Sequence, residues 1–235
     1  MITRTASALS VLAVGLLLAI AAPAQAVLLD KGFVGEPFLD TFLSGTTSAA
    51  RPELAGTVLE DVITPFSFGA LNISGTVQNR VVRETVSGTL DFYWRIKVDP
   101  TSTGGDVEAF RLGNFGYDNI VDADWRIDGL GASPAYTGRV LNPLGRPDGA
   151  INFLFPDPAV RPGDPAADDT GSYFFFLHTD ATEYAKIATY DLLGGSNQTL
   201  SDSFQTFAPV PEPSSFLLMA LGLGVAGFAV RRHRT

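Results

Sequence analysis

The sequence predicts a mainly β protein, an antiparallel β-sandwich with jelly-roll-like connections, placed between two apolar terminal segments. Three observations predict this fold class. Apolar and polar residues alternate over short runs, as in half-buried strands. The chain has 24 glycines and 15 prolines to form the turns between such runs. No helical pattern alternates with the strands, as a parallel sheet would require. We therefore expect a terminal segment at 1–26, a β-sandwich at 27–208 and a second terminal segment at 209–235.

The first segment, Met1–Ala26, has the three parts of a signal peptide, so we expect an apolar signal helix here. Arg4 supplies the positive charge and Ala6–Ala22 the apolar core. Ala24-Gln25-Ala26 is a small-x-small cleavage site, which places cleavage between Ala26 and Val27. The segment predicts export through the Sec machinery and removal by signal peptidase. An uncleaved anchor helix is the alternative interpretation.

The central region, Val27–Ala208, has 182 residues, which suits one domain with a sizeable core. It contains 12 Lys and Arg against 24 Asp and Glu, a net charge of −12. Such a surface repels nucleic acid, so we expect no nucleic-acid partner. The chain has no cysteine, which excludes disulfides, thiolate metal sites and cysteine nucleophiles.

The strands are predicted in chain order from alternating or apolar runs bounded by turn residues. Pro52-Glu53 can open one helical turn, and Asp180–Glu183 predicts a turn before a strand. The predicted strands are Val58–Thr64, Phe66–Phe68, Leu71–Val77, Asn79–Val86, Thr89–Val98, Val107–Leu112, Ile120–Ile127, Tyr136–Leu141, Ile151–Phe155, Tyr173–His178, Ile187–Leu192 and Ser203–Phe207.

Two of these runs, Asn79–Val86 and Thr89–Val98, predict a β-hairpin. Five successive pairs alternate in Thr89–Val98, which points Phe92, Trp94 and Ile96 inward. A three-residue loop, Val86-Ser87-Gly88, with Gly88 at positive φ would join the strands. That loop predicts that Thr85 faces Thr89 and that Arg83 faces Asp91.

Few residues of the domain suggest catalysis or metal binding. The domain has one histidine, His178, which we interpret as a structural residue at a strand end. Asp118, Asp122, Asp124 and Asp128 resemble a stretched calcium loop, and Asp122, Asp124 and Asp128 are weak calcium candidates. The EF-hand pattern fails because Arg126 takes the third ligand position and the final glutamate is missing. No Gly-x-Ser-x-Gly elbow is present. We therefore predict no catalytic residues, no cofactor and no enzyme activity.

The aromatic residues of the domain offer a possible sugar-stacking platform. The candidates are Trp94, Trp125, Tyr93, Tyr117 and Tyr136. Trp94 is on the apolar side of its strand and is expected in the core. Tyr93 is on the polar side, so it is the better candidate for exposure.

The last segment consists of three blocks. Val210-Pro211-Glu212-Pro213-Ser214-Ser215 is polar and extended, because each proline fixes φ and restricts the residue before it. Phe216–Val230 is a continuous apolar run that would span about 22 Å as a helix, short for a bilayer core of about 30 Å. The basic stop at 231–235 contains Arg231, Arg232 and Arg234, which predicts a cytoplasmic C-terminus. A plain transmembrane anchor and a processed tail both fit these features.

These three blocks, in this order at the end of the chain, resemble the PEP-CTERM protein-sorting signal of Gram-negative bacteria. The resemblance covers about the last 26 residues. It implies an exported protein whose tail is recognised by exosortase, a multi-pass membrane enzyme, and whose final location is the cell surface or extracellular matrix. It also implies association with exopolysaccharide, biofilm or floc.

The resulting hypothesis is a non-enzymatic surface or matrix protein that is held briefly in the inner membrane and processed at its tail. The first alternative is a carbohydrate-binding module for a specific glycan, with or without calcium. The second alternative is a secreted hydrolase that uses two unidentified acids.

Overall fold

A computed structural model describes residues 27–29, 39–69, 71–116, 119–141, 150–155, 159–163, 171–195 and 199–210 of the chain. The predicted signal peptide, Phe216–Val230, the basic stop and the sorting motif after Val210 lie outside the described residues. Within those residues the structure consists of β-strands and one short 3-10 helix, Pro52–Leu54. The strands are β1 Leu39–Phe42, β2 Gly56–Phe68, β3 Ile73–Glu84, β4 Leu90–Val98, β5 Val107–Gly113, β6 Ile120–Trp125, β7 Thr137–Leu141, β8 Ala150–Leu154, β9 Phe175–Thr179, β10 Tyr184–Gly194, β11 Thr199–Leu200 and β12 Phe204–Pro209.

These strands form two antiparallel sheets, which confirms the mainly β class. The first sheet has the order β2-β3-β4-β9-β6. The second has the order β1-β7-β8-β5-β10-β11, with β12 also paired to β10. Along the described strands, the chain passes from one sheet to the other six times, between β1 and β2, β4 and β5, β5 and β6, β6 and β7, β8 and β9, and β9 and β10. Such crossings are typical of Greek-key and jelly-roll proteins; the jelly-roll-like connection itself stays a prediction.

Aromatic side chains from both sheets share one hydrophobic core, as the two layers of a sandwich do. Trp94 of β4 is 1% exposed and lies at the centre of this core. Its ring centroid is 5.4 Å from that of Phe110 on β5 and 6.2 Å from that of Phe175 on β9. Phe92 and Ile96 are also buried, which confirms the predicted inward face of β4.

The predicted strands are largely confirmed, and some of them merge. Gly56–Phe68 is one continuous strand where the sequence predicted two, and Ile73–Glu84 takes in residues of two further predictions. Pro52–Leu54 forms the expected helical turn. Residues 180–183 form no helix before β10, as predicted.

The hairpin between β3 and β4 exists, but its predicted register is wrong by one residue. Val82 faces Asp91 and Arg83 faces Leu90. The turn has four residues, because the Glu84 N–H donates to the Thr89 carbonyl at 2.9 Å. Gly88 has φ 77°, as expected.

Side-chain contacts in and beside the turn accompany the observed register. Ser87 Oγ donates to the Glu84 carboxylate, and Thr89 Oγ1 donates to it at 3.3 Å. The Arg83 guanidinium donates to the Gly88 carbonyl at 2.8 Å and to the Thr182 carbonyl at 2.9 Å. Arg83 therefore bonds to backbone carbonyls in the turn and at Thr182 instead of pairing with Asp91 as predicted.

Residues 51–54 cover part of the outer face of the first sheet. Leu54 packs in a second hydrophobic cluster with Val82, Tyr93 and Phe176. The Thr85 N–H donates to the Ala55 carbonyl at 3.4 Å, so the segment is also hydrogen-bonded near the hairpin turn. Polar residues on this outer face are consequently buried although they point away from the main core.

Candidate functional site

Three polar residues form a row across the outer face of the first sheet. His178 on β9 faces Asp91 on β4 and Asp122 on β6. Directly opposed residues of antiparallel strands place their side chains on the same face. Asp91 and Asp122 are 0% and 1% exposed, which is rare for carboxylates unless they have partners.

Arg51 of the covering segment neutralises one end of this row. Its guanidinium donates to both carboxylate oxygens of Asp122, at 2.7 and 2.9 Å, and also to Glu53 at 2.9 Å. Burial alone would lower the pKa of Arg51, but the hydrogen bonds to Asp122 and Glu53 raise it above its ordinary value. Arg51 therefore stays charged and forms a buried bidentate pair.

His178 connects Asp91 with Glu84 at the other end of the row. Its Nδ1 is 2.7 Å from Asp91 Oδ1 and 3.2 Å from Glu84 Oε1. Burial raises the pKa of Asp91 to about 6, and the charges of Glu84 and Asp122 add to this effect. Burial would lower the pKa of His178, but Asp91, with smaller contributions from Asp122 and Glu84, raises it above its ordinary value.

Hydroxyl groups orient the two carboxylates that face His178. Ser87 and Thr89 bind Glu84 Oε2, and the Tyr93 hydroxyl is 3.5 Å from Asp91 Oδ2. Glu84 Oε1 is buried and makes no hydrogen bond among the described residues, since His178 Nδ1 is bonded to Asp91. Glu84, Asp91 and His178 are also the only described group whose potential ligand atoms all lie within 4.8 Å of one another. This trio is called the acid–histidine cluster below.

A groove of about 550 Å³ lies further along the same sheet face. Three arginines line it together with two aromatic rings and several aliphatic side chains. The lining residues are Leu54, Gly56, Val58, Gln78, Arg80, Val82, Tyr93, Arg95, Arg126, Asp128, Gly129, Leu130 and Phe174. The groove is therefore rich in cations within a domain of strongly negative net charge.

The groove arginines are held in place by neighbouring groups. Arg80 pairs with Asp61 at 2.8 Å, and its guanidinium carbon is 4.7 Å from the centre of the Phe174 ring. Arg126 donates to Asp128 at 2.8 and 3.1 Å, and this bond lowers the pKa of Asp128. Guanidinium groups fixed in this way can bind carboxylate or sulfate groups without first being ordered.

The weak calcium candidates each have a different partner in the structure. Asp122 pairs with Arg51, and Asp128 pairs with Arg126 and with the N–H and hydroxyl of Ser48. Asp124 Oδ1 accepts the N–H groups of Gly45 and Trp125 at 2.7 and 3.0 Å. Asp118 lies outside the described residues.

The proposed aromatic platform is largely part of the interior. Trp94 and Trp125 are buried, and Tyr136 is half-buried against the core. The expectation that Tyr93 is exposed is wrong: it is 4% exposed, because Leu54 and Phe176 pack against it. Tyr117 lies outside the described residues.

Sequence reasoning missed Glu84, Asp91 and Arg51 as members of a site. Asp91 and His178 occur on strands 87 residues apart, and Arg51 lies in a segment with no strong pattern. The available signal was the single histidine on an apolar strand, which becomes informative only when β4 and β9 are known to pair.

The C-terminal segment begins where the last strand ends. β12 ends at Pro209, and the Val210 N–H donates to the Glu183 carbonyl at 3.1 Å. The family model of the PEP-CTERM protein-sorting motif matches residues 209–234. This match confirms the predicted sorting motif, and it supports export and sorting by exosortase.

In the comparisons with curated proteins and with solved structures, nothing matched the chain. Among the described residues, no helix is long and apolar enough to span a bilayer. The predicted span Phe216–Val230 is outside that set, so its membrane insertion stays a prediction.

Proposed function

We propose that this chain is a non-enzymatic exported protein of the cell surface or extracellular matrix, sorted and processed at its C-terminal tail. The observation that carries this proposal is the PEP-CTERM motif at 209–234, which starts at the last residue of β12. The folded domain thus ends directly at the segment that the membrane enzyme would recognise.

The position of β12 suits a domain that is attached through its C-terminus. β12 pairs with β10 from Tyr184↔Pro209 to Tyr190↔Phe204. Its Ala208 is fully buried, and Thr206 is hydrogen-bonded to the opposite sheet. A pull on the tail would therefore act on a strand anchored in both sheets rather than on a loose terminus.

Among the described residues, the buried polar groups on the outer face of the first sheet favour a binding or structural role over catalysis. The acid–histidine cluster has side chains of Glu84 and Asp91 that are 2% and 0% exposed. Asp122 is fully engaged by Arg51. Glycoside hydrolysis requires two carboxylates on either side of a bound sugar, and these buried groups have no room for one.

Sorting is tested by following the tail in the native host. The wild-type chain and a variant with Pro211→Ala and Pro213→Ala are compared in strains with and without exosortase. We expect wild-type chain at the cell surface or in the matrix only when exosortase is present, and the proline variant in the inner membrane in both strains. Identical distribution of wild-type chain in the two strains would contradict the proposal.

A second candidate function is binding of an acidic glycan in the arginine-lined groove. Arg80, Arg95 and Arg126 are brought together there beside Phe174, in a domain that otherwise repels anions. Guanidinium groups recognise carboxylates in pairs of hydrogen bonds, and aromatic rings pack on sugar faces. The groove thus favours a uronate-containing or sulfated polysaccharide such as an exopolysaccharide could supply.

Binding of uronate and neutral oligosaccharides to the purified chain, with and without chelator, tests this candidate. Arg126→Met should weaken uronate binding at least tenfold. Arg111→Met, which removes a similar ion pair with Asp191 on the other sheet, is the matched control. Equal binding by both variants would exclude the groove, and turnover of the glycan would instead favour the hydrolase alternative.

A further inference from the structure

We infer that the acid–histidine cluster is a binding site for one divalent transition-metal ion, with Zn²⁺ as the representative. Its ligands would be His178 Nδ1, Asp91 Oδ1 and Glu84 Oε1. This site is separate from the arginine-lined groove and does not depend on how the tail is sorted.

The first argument is the geometry of the three atoms. Nδ1 is 2.7 Å from Asp91 Oδ1 and 3.2 Å from Glu84 Oε1. Zinc binds nitrogen and carboxylate oxygen at about 2.1 Å, so tetrahedral ligands are about 3.4 Å apart. To hold the ion, Nδ1 would need to move about 0.7 Å further from Asp91 Oδ1 and about 0.2 Å further from Glu84 Oε1.

The second argument is the buried Glu84 Oε1, which makes no hydrogen bond among the described residues. Glu84 is 3% exposed, and its Oε1 makes no hydrogen bond among the described residues, because the neighbouring His178 Nδ1 at 3.2 Å is bonded to Asp91. This oxygen points toward His178, whereas Oε2 is held by Ser87 and Thr89. A buried carboxylate oxygen that makes no hydrogen bond is costly, and coordination to a metal ion would reduce that cost.

The third argument is the balance of charge. Asp122 is neutralised by Arg51, which leaves the charges of Glu84 and Asp91 for His178 to balance. A protonated imidazole balances one of these charges. A divalent ion bound to a neutral imidazole balances both, which is the condition under which buried carboxylates are tolerated.

The surroundings of the cluster also have the features of a metal site. The Ser87 and Thr89 hydroxyls contact Glu84 Oε2, and the Tyr93 hydroxyl is 3.5 Å from Asp91 Oδ2. In metal sites, hydrogen-bonding groups of this kind surround the ligands and orient them. The His178 side chain is 15% exposed, so an ion can enter on that side and retain a water molecule. One imidazole with two carboxylates suits zinc or a similar ion, whereas Ca²⁺ requires six to eight oxygen ligands.

The test is calorimetric titration of the chelator-treated full-length chain with ZnCl₂, and separately with CaCl₂. We expect one zinc ion per chain and no calcium binding at this site. Glu84→Gln and His178→Gln should each weaken zinc binding at least tenfold. The chain has one other histidine, His233, and His233→Gln is the matched control that should bind zinc like wild type.

Two further measurements separate loss of the site from loss of the fold. Far-UV circular dichroism identifies a variant that does not fold. If His178→Gln does not fold, Glu84→Gln still tests the site, because glutamine has nearly the same shape as glutamate. In the wild-type chain, the ¹⁵N resonance of His178 Nδ1 should move to a metal-coordinated position when zinc is added. Absence of that shift, or zinc binding that persists in both folded variants, would overturn the inference.

Discussion

The indole N–H of Trp94 donates a hydrogen bond to Thr206 Oγ1 at 3.0 Å, inside the core between the two sheets. Thr206 Oγ1 in turn donates to Asn79 Oδ1 at 2.9 Å. Trp94 and Asn79 belong to the first sheet and Thr206 to β12 of the second. The strand that leads into the sorting tail is therefore tied to the opposite sheet by a chain of buried hydrogen bonds.

This chain of hydrogen bonds predicts a large effect for Thr206→Val. The variant keeps the side-chain shape but leaves two buried groups, the Trp94 N–H and Asn79 Oδ1, without this partner. Each unsatisfied buried group costs about 1–3 kcal/mol, so the free energy of unfolding should fall by about 2–6 kcal/mol. Urea unfolding followed by tryptophan fluorescence measures this loss of stability. Thr57→Val, at an exposed position of β2, is the control and should change stability little; a similar loss in both variants would contradict the prediction.

The buried pair of Arg51 and Asp122 predicts a non-additive double mutant. Arg51→Met leaves the Asp122 carboxylate buried without its cation, which costs about 3–5 kcal/mol in comparable pairs. Removing both charges in Arg51→Met with Asp122→Leu should restore most of this loss. Chemical denaturation of the two single variants and the double variant checks the cycle. Additive losses would show that the covering segment is not held by this ion pair.

Asp124 predicts a defined pH dependence of stability. Burial, the largest cause, raises its pKa from 3.8 to about 6, although the N–H groups of Gly45 and Trp125 oppose the shift. A carboxyl whose pKa is raised by folding contributes stability that is complete below about pH 3.8 and is lost as pH rises through about 6. That loss is on the order of 3 kcal/mol.

Asp124→Asn keeps an oxygen to accept the two N–H groups but has no titrating carboxyl. The free energy of unfolding of this variant relative to wild type should therefore rise by about 2–3 kcal/mol between pH 4 and pH 7.5. Urea titrations at both pH values measure the difference. A constant difference across this range would mean that Asp124 ionises as easily in the folded chain as in the unfolded one.

Much of the strand content could be predicted from the sequence, because period-two alternation reports directly which face of a strand is buried. The inward set Phe92, Trp94 and Ile96 is the clearest case. The register of the hairpin could not be predicted, since it depends on contacts of Glu84 and Arg83 within and beyond the turn. Alternation distinguishes the two faces of a strand but does not count the residues in a turn.

The candidate site could not be predicted from the sequence for a related reason. Tyr93 and Asp91 occupy the polar positions of β4, so the alternation of apolar and polar residues predicts that they face solvent. Leu54 and Arg51 cover that face, and nothing in a segment of mixed composition indicates where it will pack. The sorting motif, by contrast, is a local pattern at the end of the chain, so it could be identified from the sequence.

The proline motif and the basic stop, on either side of the apolar run in the tail, should affect processing differently when mutated. Pro211→Ala with Pro213→Ala should block processing, because helix could then extend through the cleavage region. Arg231→Ser with Arg232→Ser should slow processing, because it weakens the orientation of the apolar span. Pulse-chase labelling measures the precursor in each variant, and Arg4 is left intact so that export begins normally. Wild-type processing in the proline variant would exclude an extended motif as the recognised form.

The intact mass of the protein purified from its native host tests the central claim most directly. A chain sorted and processed at its tail should have a mass that begins at Val27 and ends near the Pro211-Glu212-Pro213 motif, with any attached group as an added mass. If Phe216–Thr235 is still present in the bulk of the mature protein, processing is contradicted and the segment is a permanent anchor.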